Sequence, residues 1–178
     1  MIAEEKKKLR RETFRTSRAM EFLSRKELIA QTGHQPEVWP LMVLKELVDN
    51  ALDACEEAGI APKIQVTVDE EGILIADNGP GIPPQVVRQV LDFSTRVSSR
   101  EAYVAPDRGA QGNALKTILA VPFVLNGECG IVEISARGVR HKITLKVDPI
   151  RQEPVIDHRE LPDDQETEGT TIRIVWSE

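Results

Sequence analysis

Cysteine is scarce in this chain: its 178 residues carry only Cys55 and Cys129, with no Cys-x-x-Cys pair and no metal-ligand spacing. Two isolated cysteines offer no disulfide framework and fit a reduced, intracellular (cytoplasmic) protein. Long apolar runs are missing too. No stretch approaches the ~18 residues that a membrane-crossing helix needs, so no membrane partner is expected. The segment Lys6-Lys7-Lys8-Leu9-Arg10-Arg11 is followed by no apolar region, which excludes a secretory signal. Internal repeats and low-complexity linkers are likewise absent. Positive charge is in the minority, and a net charge of −6 argues against a nucleic-acid clamp. The first 18 residues are the exception, with seven Lys or Arg against three Glu. They read either as a solvated terminus or as an arm that reaches DNA or a partner.

What remains is globular composition, 40% hydrophobic and 29% charged, at the size of one ordinary domain. We divide it into a basic arm with a helix over residues 1–30 and a main domain over 31–178. Thr16 or Ser17 is placed to cap that first helix, which Gly33 stops. A long helix is expected over 37–58, where Leu44, Leu47, Val48, Ala51, Leu52 and Cys55 keep helical spacing and Gly59 suits the C-terminal cap. Strands follow: 63–68 alternates like a half-buried strand, and 73–76 is continuously apolar. Short helices are expected over 84–91 and 113–120, separated by a long surface segment over 93–107. Further strands fall near 131–136, 139–147, 154–157 and 171–176. Early helices and late strands predict an α+β, two-layer sandwich of one mixed, mostly antiparallel sheet with helices on one face. The alternation that a doubly wound parallel sheet requires is absent.

Four stretches carry chemistry. Glu46, Asp49, Asn50 and Asp53 lie at i, i+3, i+4 and i+7, so they share one helix face, expected roughly opposite the apolar stripe. A polar helix face is ordinarily just solvated. Here three carboxylates and an amide, with no cation at i+4 to pair them, repel one another unless solvent or a cation intervenes. Oxygen donors of this kind suit Mg²⁺ held with waters and a phosphate. Next, Asp77-Asn78-Gly79-Pro80-Gly81 follows an apolar strand, where it is either an ordinary turn or an acceptor fixed beside a ligand. Arg108-Gly109-Ala110-Gln111-Gly112-Asn113-Ala114 enters a helix, and backbone N–H groups there favour phosphate. Its continuation Leu115-Lys116-Thr117 imitates a Walker A loop, but Leu115 stands where a glycine must precede the lysine. Last, Glu168-Gly169-Thr170-Thr171 opens the final strand.

The order of these stretches resembles the GHKL ATPases, which include gyrase, the mismatch-repair MutL proteins, the large heat-shock chaperones and the sensor histidine kinases. Within that superfamily the chain is most similar to the ATPase domain of the topoisomerase VI B family. The run from Glu46 to Ile60, Asp77-Asn78-Gly79-Pro80-Gly81-Ile82-Pro83-Pro84 and Arg108-Gly109-Ala110-Gln111-Gly112 carry the likeness. Thr16-Ser17-Arg18 and Glu21-Phe22 extend it. The resemblance implies the Bergerat ATP-binding fold, with ATP and Mg²⁺ as cofactors. It implies that Glu46 is the general base for the attacking water and that Asn50 holds Mg²⁺. It makes Asp77 the acceptor for the adenine amino group, with Gly79, Gly81 and Thr170 on the adenine side. Gly109 and Gly112 would bind phosphate through their amides. Asp53, Arg108, Gln111 and Lys116 complete the nucleotide-contacting set. Arg96 and Arg100 fall on the segment that looks like the family's ATP lid. The family also implies an ATP-bound homodimer in which the first 30 residues strap onto the partner, and a DNA-cleaving or transducer partner, with DNA met only indirectly.

The chain departs from the family at Ala114, where another glycine is usual. In the topoisomerase and MutL branches a lysine from a following transducer domain completes the γ-phosphate site. With Glu178 directly after the last expected strand, this is either a piece of a longer protein or a domain completed by a partner. Two other functions compete with ATP hydrolysis. One is phosphotransfer, as in histidine kinases and anti-sigma-factor kinases. That reading expects Asn where this chain has Glu46, and a phospho-acceptor helix that His34, His141 and His158 do not occupy. The other is an ATP-sensing interaction module without turnover.

Overall fold

The computed structural model describes residues 23–91, 111–150, 153–163 and 168–176, with backbone alone for 111–115 and 153–154. In chain order the elements are α1 (Arg25–Thr32), a 3₁₀ turn (Pro36–Val38), α2 (Trp39–Glu57), β1 (Gln65–Val68), β2 (Gly72–Ala76), α3 (Pro84–Val90), α4 (Gln111–Asn126), β3 (Cys129–Ala136), β4 (Val139–Asp148), β5 (Glu153–Pro162) and β6 (Thr170–Val175). The strands form one sheet in the order β1-β2-β6-β3-β4-β5, antiparallel at every pairing. The expected α+β sandwich is therefore what forms.

Along β3 buried and half-buried residues alternate strictly, the period of a sheet with one face on the core. Val132 and Ile134 of β3, Ile143 and Leu145 of β4, and Ile172 and Ile174 of β6 meet Leu28, Trp39, Val43 and Leu47 from the helical layer. The hub of that layer is α4, which touches α1, α2, α3, β3 and β4. Surrounded in this way, its run from Ile118 to Phe123 is buried on all sides, Pro122 included. That is why it reads in sequence as a shorter helix: it has no polar face to mark its period. It extends from Gln111 to Asn126 instead of 113–120.

Other boundaries also move. Ser24 is extended and its side chain accepts the Glu27 N–H, so α1 starts there rather than near Thr16, and Leu23 and Leu28 join the core. The expected stop at Gly33 holds, with φ at 69°. β1 is an edge strand whose Val66 and Val68 pair with Ile75 and Ile73, yet they stay 43% and 60% exposed. The alternation there marks a strand but not a half-buried one, because the described helices do not cover the sheet's edge.

The turn joining β1 to β2 is held by Asp69. Its Oδ1 accepts the N–H groups of Glu71 and Gly72, and both carboxylate oxygens receive the guanidinium of Arg173 from β6. Arg173 holds the Asp69 carboxyl below its ordinary pKa. A depressed folded-state pKa adds stability above the unfolded value, about 4, and loses it as pH falls through the folded one. Arg173→Ala is thus expected to lower the Tm at neutral pH, with a difference from wild type that shrinks in acid. Melting curves across pH 2–7 check this, and a Tm gap independent of pH would show that the charge pair is irrelevant.

Candidate functional site

The site begins where β2 ends. Asp77 lies one residue beyond β2 and Thr170 opens β6, which pairs with β2, so the ladder itself brings them side by side. The Asp77 N–H donates to the Thr170 carbonyl at 2.9 Å, and the Thr170 N–H donates to Asp77 Oδ1 at 3.1 Å. The same Oδ1 accepts the Gly79 N–H at 2.8 Å. Asp77 Oδ2 takes part in none of these bonds. The Thr170 hydroxyl, buried with its residue, accepts the Ile82 N–H at 3.1 Å. Two loops far apart in sequence are thereby clasped, with one carboxylate oxygen outside the clasp.

Glycine is what lets the loops meet. A Cβ on Gly169 would lie 2.0 Å from the Asp77 carbonyl oxygen, and its φ of +79° already disfavours other residues. A Cβ on Gly81 would lie 2.9 Å from the Gly169 carbonyl, again at positive φ, and one on Gly79 would lie 3.0 Å from Asp77 Oδ1, with Cys55 and Ala54 at ordinary contact distance. The sequence suggests that Gly79 and Gly81 admit a ligand. In the structure Gly81 also lies close against Gly169, and Gly79 beside the Asp77 carboxylate.

A Cβ built on Gly79 would lie 3.6 Å from Ala54 Cβ, which puts α2 beside the Asp77 loop. Ala54, Asn50 and Glu46 are spaced by four, so they form one line along that helix. At 1.5 Å per residue, Asn50 lies ~6 Å and Glu46 ~12 Å along the axis from the Asp77 end. Glu46, Asp49, Asn50 and Asp53 are all half-buried. The expected arrangement, with this face opposite the apolar stripe, is not what forms. The buried line is Trp39, Val43, Leu47, Ala51 and Cys55, while Leu52 is exposed. This rotates the stripe towards the acidic face and sets Asn50 and Glu46 on its shoulder. The absence of a pairing cation is also corrected: Lys45 sits on Asp49 at i, i+4, so Asp49 belongs to the helix surface.

Two supporting contacts have no counterpart in the sequence reading. Asn78 Oδ1 accepts the Lys63 N–H at 2.7 Å and lies 3.6 Å from Cys55 Sγ, while its amide donates to the Ala61 carbonyl. It staples the α2–β1 connection to the Asp77 loop. Arg137 Nε donates to the Pro80 carbonyl, from a two-residue β3–β4 turn in which Arg137 and Gly138 both have positive φ. The signal available in sequence was Arg-Gly between two strands, which announces a turn but not what it touches.

Of the remaining predicted residues, Gln111 and Gly112 are the first described residues of α4. Lys116, one turn further, is 2% exposed. Arg96, Arg100, Arg108 and Gly109 lie outside the described residues, as does the basic segment 1–22.

Residues 36–177 match the family described as "Histidine kinase-, DNA gyrase B-, and HSP90-like ATPase". The chain is 29% identical over 169 residues to the B subunit of type 2 DNA topoisomerase 6 from Pyrococcus abyssi, covering 90% of this chain and 29% of that protein. It is 33% identical over 141 residues to the protein of the same name in Methanosarcina barkeri, covering 75% of this chain and 22% of that protein. It therefore spans less than a third of either relative. Among solved structures, the 43K ATPase domain of Thermus thermophilus gyrase B, in complex with an aminocoumarin, superposes with a TM-score of 0.43 at 20% identity, covering 88% of this chain and 36% of that chain.

Proposed function

This chain belongs to the histidine kinase-, DNA gyrase B- and HSP90-like ATPase family, and from that premise we propose that it binds Mg·ATP along the line from Asp77 to Glu46 and hydrolyses it. The observation that supports this most is the Asp77–Thr170 clasp. One carboxylate oxygen is held by two backbone N–H groups, which leaves Oδ2 as a fixed acceptor for an adenine amino hydrogen. The Thr170 backbone and hydroxyl set the wall beside it. From there α2 leads away with an amide and then a carboxylate, at the ~6 and ~12 Å intervals that helix rise dictates.

Half-buried oxygen donors on α2 fit a hard cation, and Asn50 would hold Mg²⁺ through its amide oxygen, with Asp53 beside it. When bound, Mg²⁺ supplies charge neutralisation for the phosphates. Glu46 accepts the proton of the attacking water. The first turn of α4, with Gln111 and Gly112, offers amides to phosphate, and Gly109, Arg108 and Lys116 would complete that end. By the same likeness the domain works in an intracellular DNA-associated machine and dimerises on ATP through the basic N-terminal arm. A further domain or partner would complete the phosphate end.

Calorimetry with ADP and a non-hydrolysable ATP analogue, with and without Mg²⁺, tests the reading. Asp77→Asn puts an N–H₂ where Oδ2 stood, donor against donor, and should weaken both nucleotides about 10- to 100-fold. Asn50→Ala should remove the Mg²⁺ dependence while leaving ADP binding without metal in place. Folded wild-type protein that binds neither nucleotide, or Asp77→Asn binding as tightly as wild type, would refute the site.

A further inference from the structure

A second cluster of ligating side chains lies on β4 and β5, at the opposite end of the strand order from β1 and β2 and away from the α2 line. His141 of β4 stands opposite Glu160 of β5, and Ile143, two residues on, stands opposite His158. All three side chains therefore share the helix-facing side. His141 Nδ1 and His158 Nε2 are 2.9 Å apart, and Glu160 Oε1 is 3.8 Å from the first and 4.0 Å from the second. The rings stack at 5.1 Å. From α3, Arg88 grips both Glu160 oxygens.

We propose that His141, His158 and Glu160 form a binding site for one Zn²⁺-class transition-metal ion, separate from the nucleotide site. Two imidazoles and a carboxylate are the donor set that zinc, nickel and copper prefer, and one that Mg²⁺ does not. Tetrahedral zinc with ligands at 2.0–2.1 Å sets its donor atoms about 3.3 Å apart. The present spacings straddle that value, so the rings separate by a few tenths of an ångström and Glu160 closes by about half an ångström. One ligating atom from each of the three side chains lies within 4.8 Å of the other two.

His141 makes poor sense as a packing residue. It is 1% exposed, and its Nε2 has no hydrogen-bond partner among the described residues. Its other ring nitrogen, Nδ1, is the one that faces His158 and Glu160. Arg88 orients Glu160 but also competes for it. β5 is the last strand of the sheet, and the His158 and Glu160 side chains on it are partly exposed.

The test uses the full chain without nucleotide, titrated with Zn²⁺ by calorimetry and with Co²⁺ by visible absorption. One equivalent should bind, with the absorption of a low-coordinate Co²⁺ ion. His158→Gln and Glu160→Gln, both at partly exposed positions, should each weaken binding at least about tenfold, while Mg²⁺-dependent nucleotide binding stays unchanged. Arg88→Ala should strengthen it by releasing the carboxylate. Wild-type protein that takes up no Zn²⁺, variants that bind it as wild type does, or an Arg88→Ala variant that binds no better would overturn the proposal.

Discussion

Glu46→Gln is expected to bind nucleotide within a factor of about two of wild type and to hydrolyse ATP about 10²- to 10⁴-fold more slowly, the usual worth of a positioned general base. The substitution keeps the shape of a half-buried side chain on the shoulder of the buried stripe of α2, so the helix has no reason to move. It removes only the capacity to accept a proton. Glu46 also stands farthest along α2 from Asp77, where the adenine contact is placed, so affinity from that end should persist. Steady-state phosphate release, compared with calorimetric affinity for the non-hydrolysable analogue, separates the two effects. A variant that hydrolyses at the wild-type rate would remove Glu46 from the chemistry, and a loss of affinity matching the loss of rate would make it a binding residue.

The second large effect is structural. Gly169→Ala is expected to destabilise the domain by about 3–5 kcal/mol, combining left-handed backbone strain with an overpacked contact. The new methyl would meet the Asp77 carbonyl oxygen at 2.0 Å and Asp77 Oδ1 at 2.6 Å, and the carbonyl is backbone that cannot swing aside. Relief requires the two loops to part, which breaks the Asp77–Thr170 clasp and with it nucleotide binding. Gly138→Ala is the control. It shares a positive φ, +72°, but has nothing within 4 Å of its new Cβ, so it should cost only about 1–2 kcal/mol. Urea unfolding of both variants, with nucleotide titrations under folding conditions, checks the difference. Equal losses would mean that strain alone operates and that the close approach is unimportant.

Much of this was legible in the residues. The period of β3 and β4, the αL stop at Gly33 and the Asp77-Asn78-Gly79-Pro80-Gly81 break are local properties, written in hydrophobic spacing and turn chemistry. So was the spacing of Glu46, Asn50 and Asp53, because a helix converts fixed intervals into a shared face. The family likeness added roles to those positions. Local pattern failed where the surroundings decide burial. α4 showed no clear period because other elements enclose it, three helices and two strands among them. β1 showed a period that burial did not follow because no described helix covers it.

The sequence by itself determined which residues are able to bind nucleotide and in what order they occur. Only the tertiary structure decided how they meet. Pairing of β2 with β6 puts Thr170 against Asp77 across 93 residues of chain, through bonds that no local rule anticipates. Packing against the sheet chose Trp39, Val43, Leu47, Ala51 and Cys55 as the buried line of α2, and so turned Asn50 and Glu46 to the site's edge. The β4–β5 register likewise joined His141, His158 and Glu160, which are unremarkable when read one at a time. Long-range pairing has no signature in a short window of sequence, because its energy comes from partners that the window does not contain.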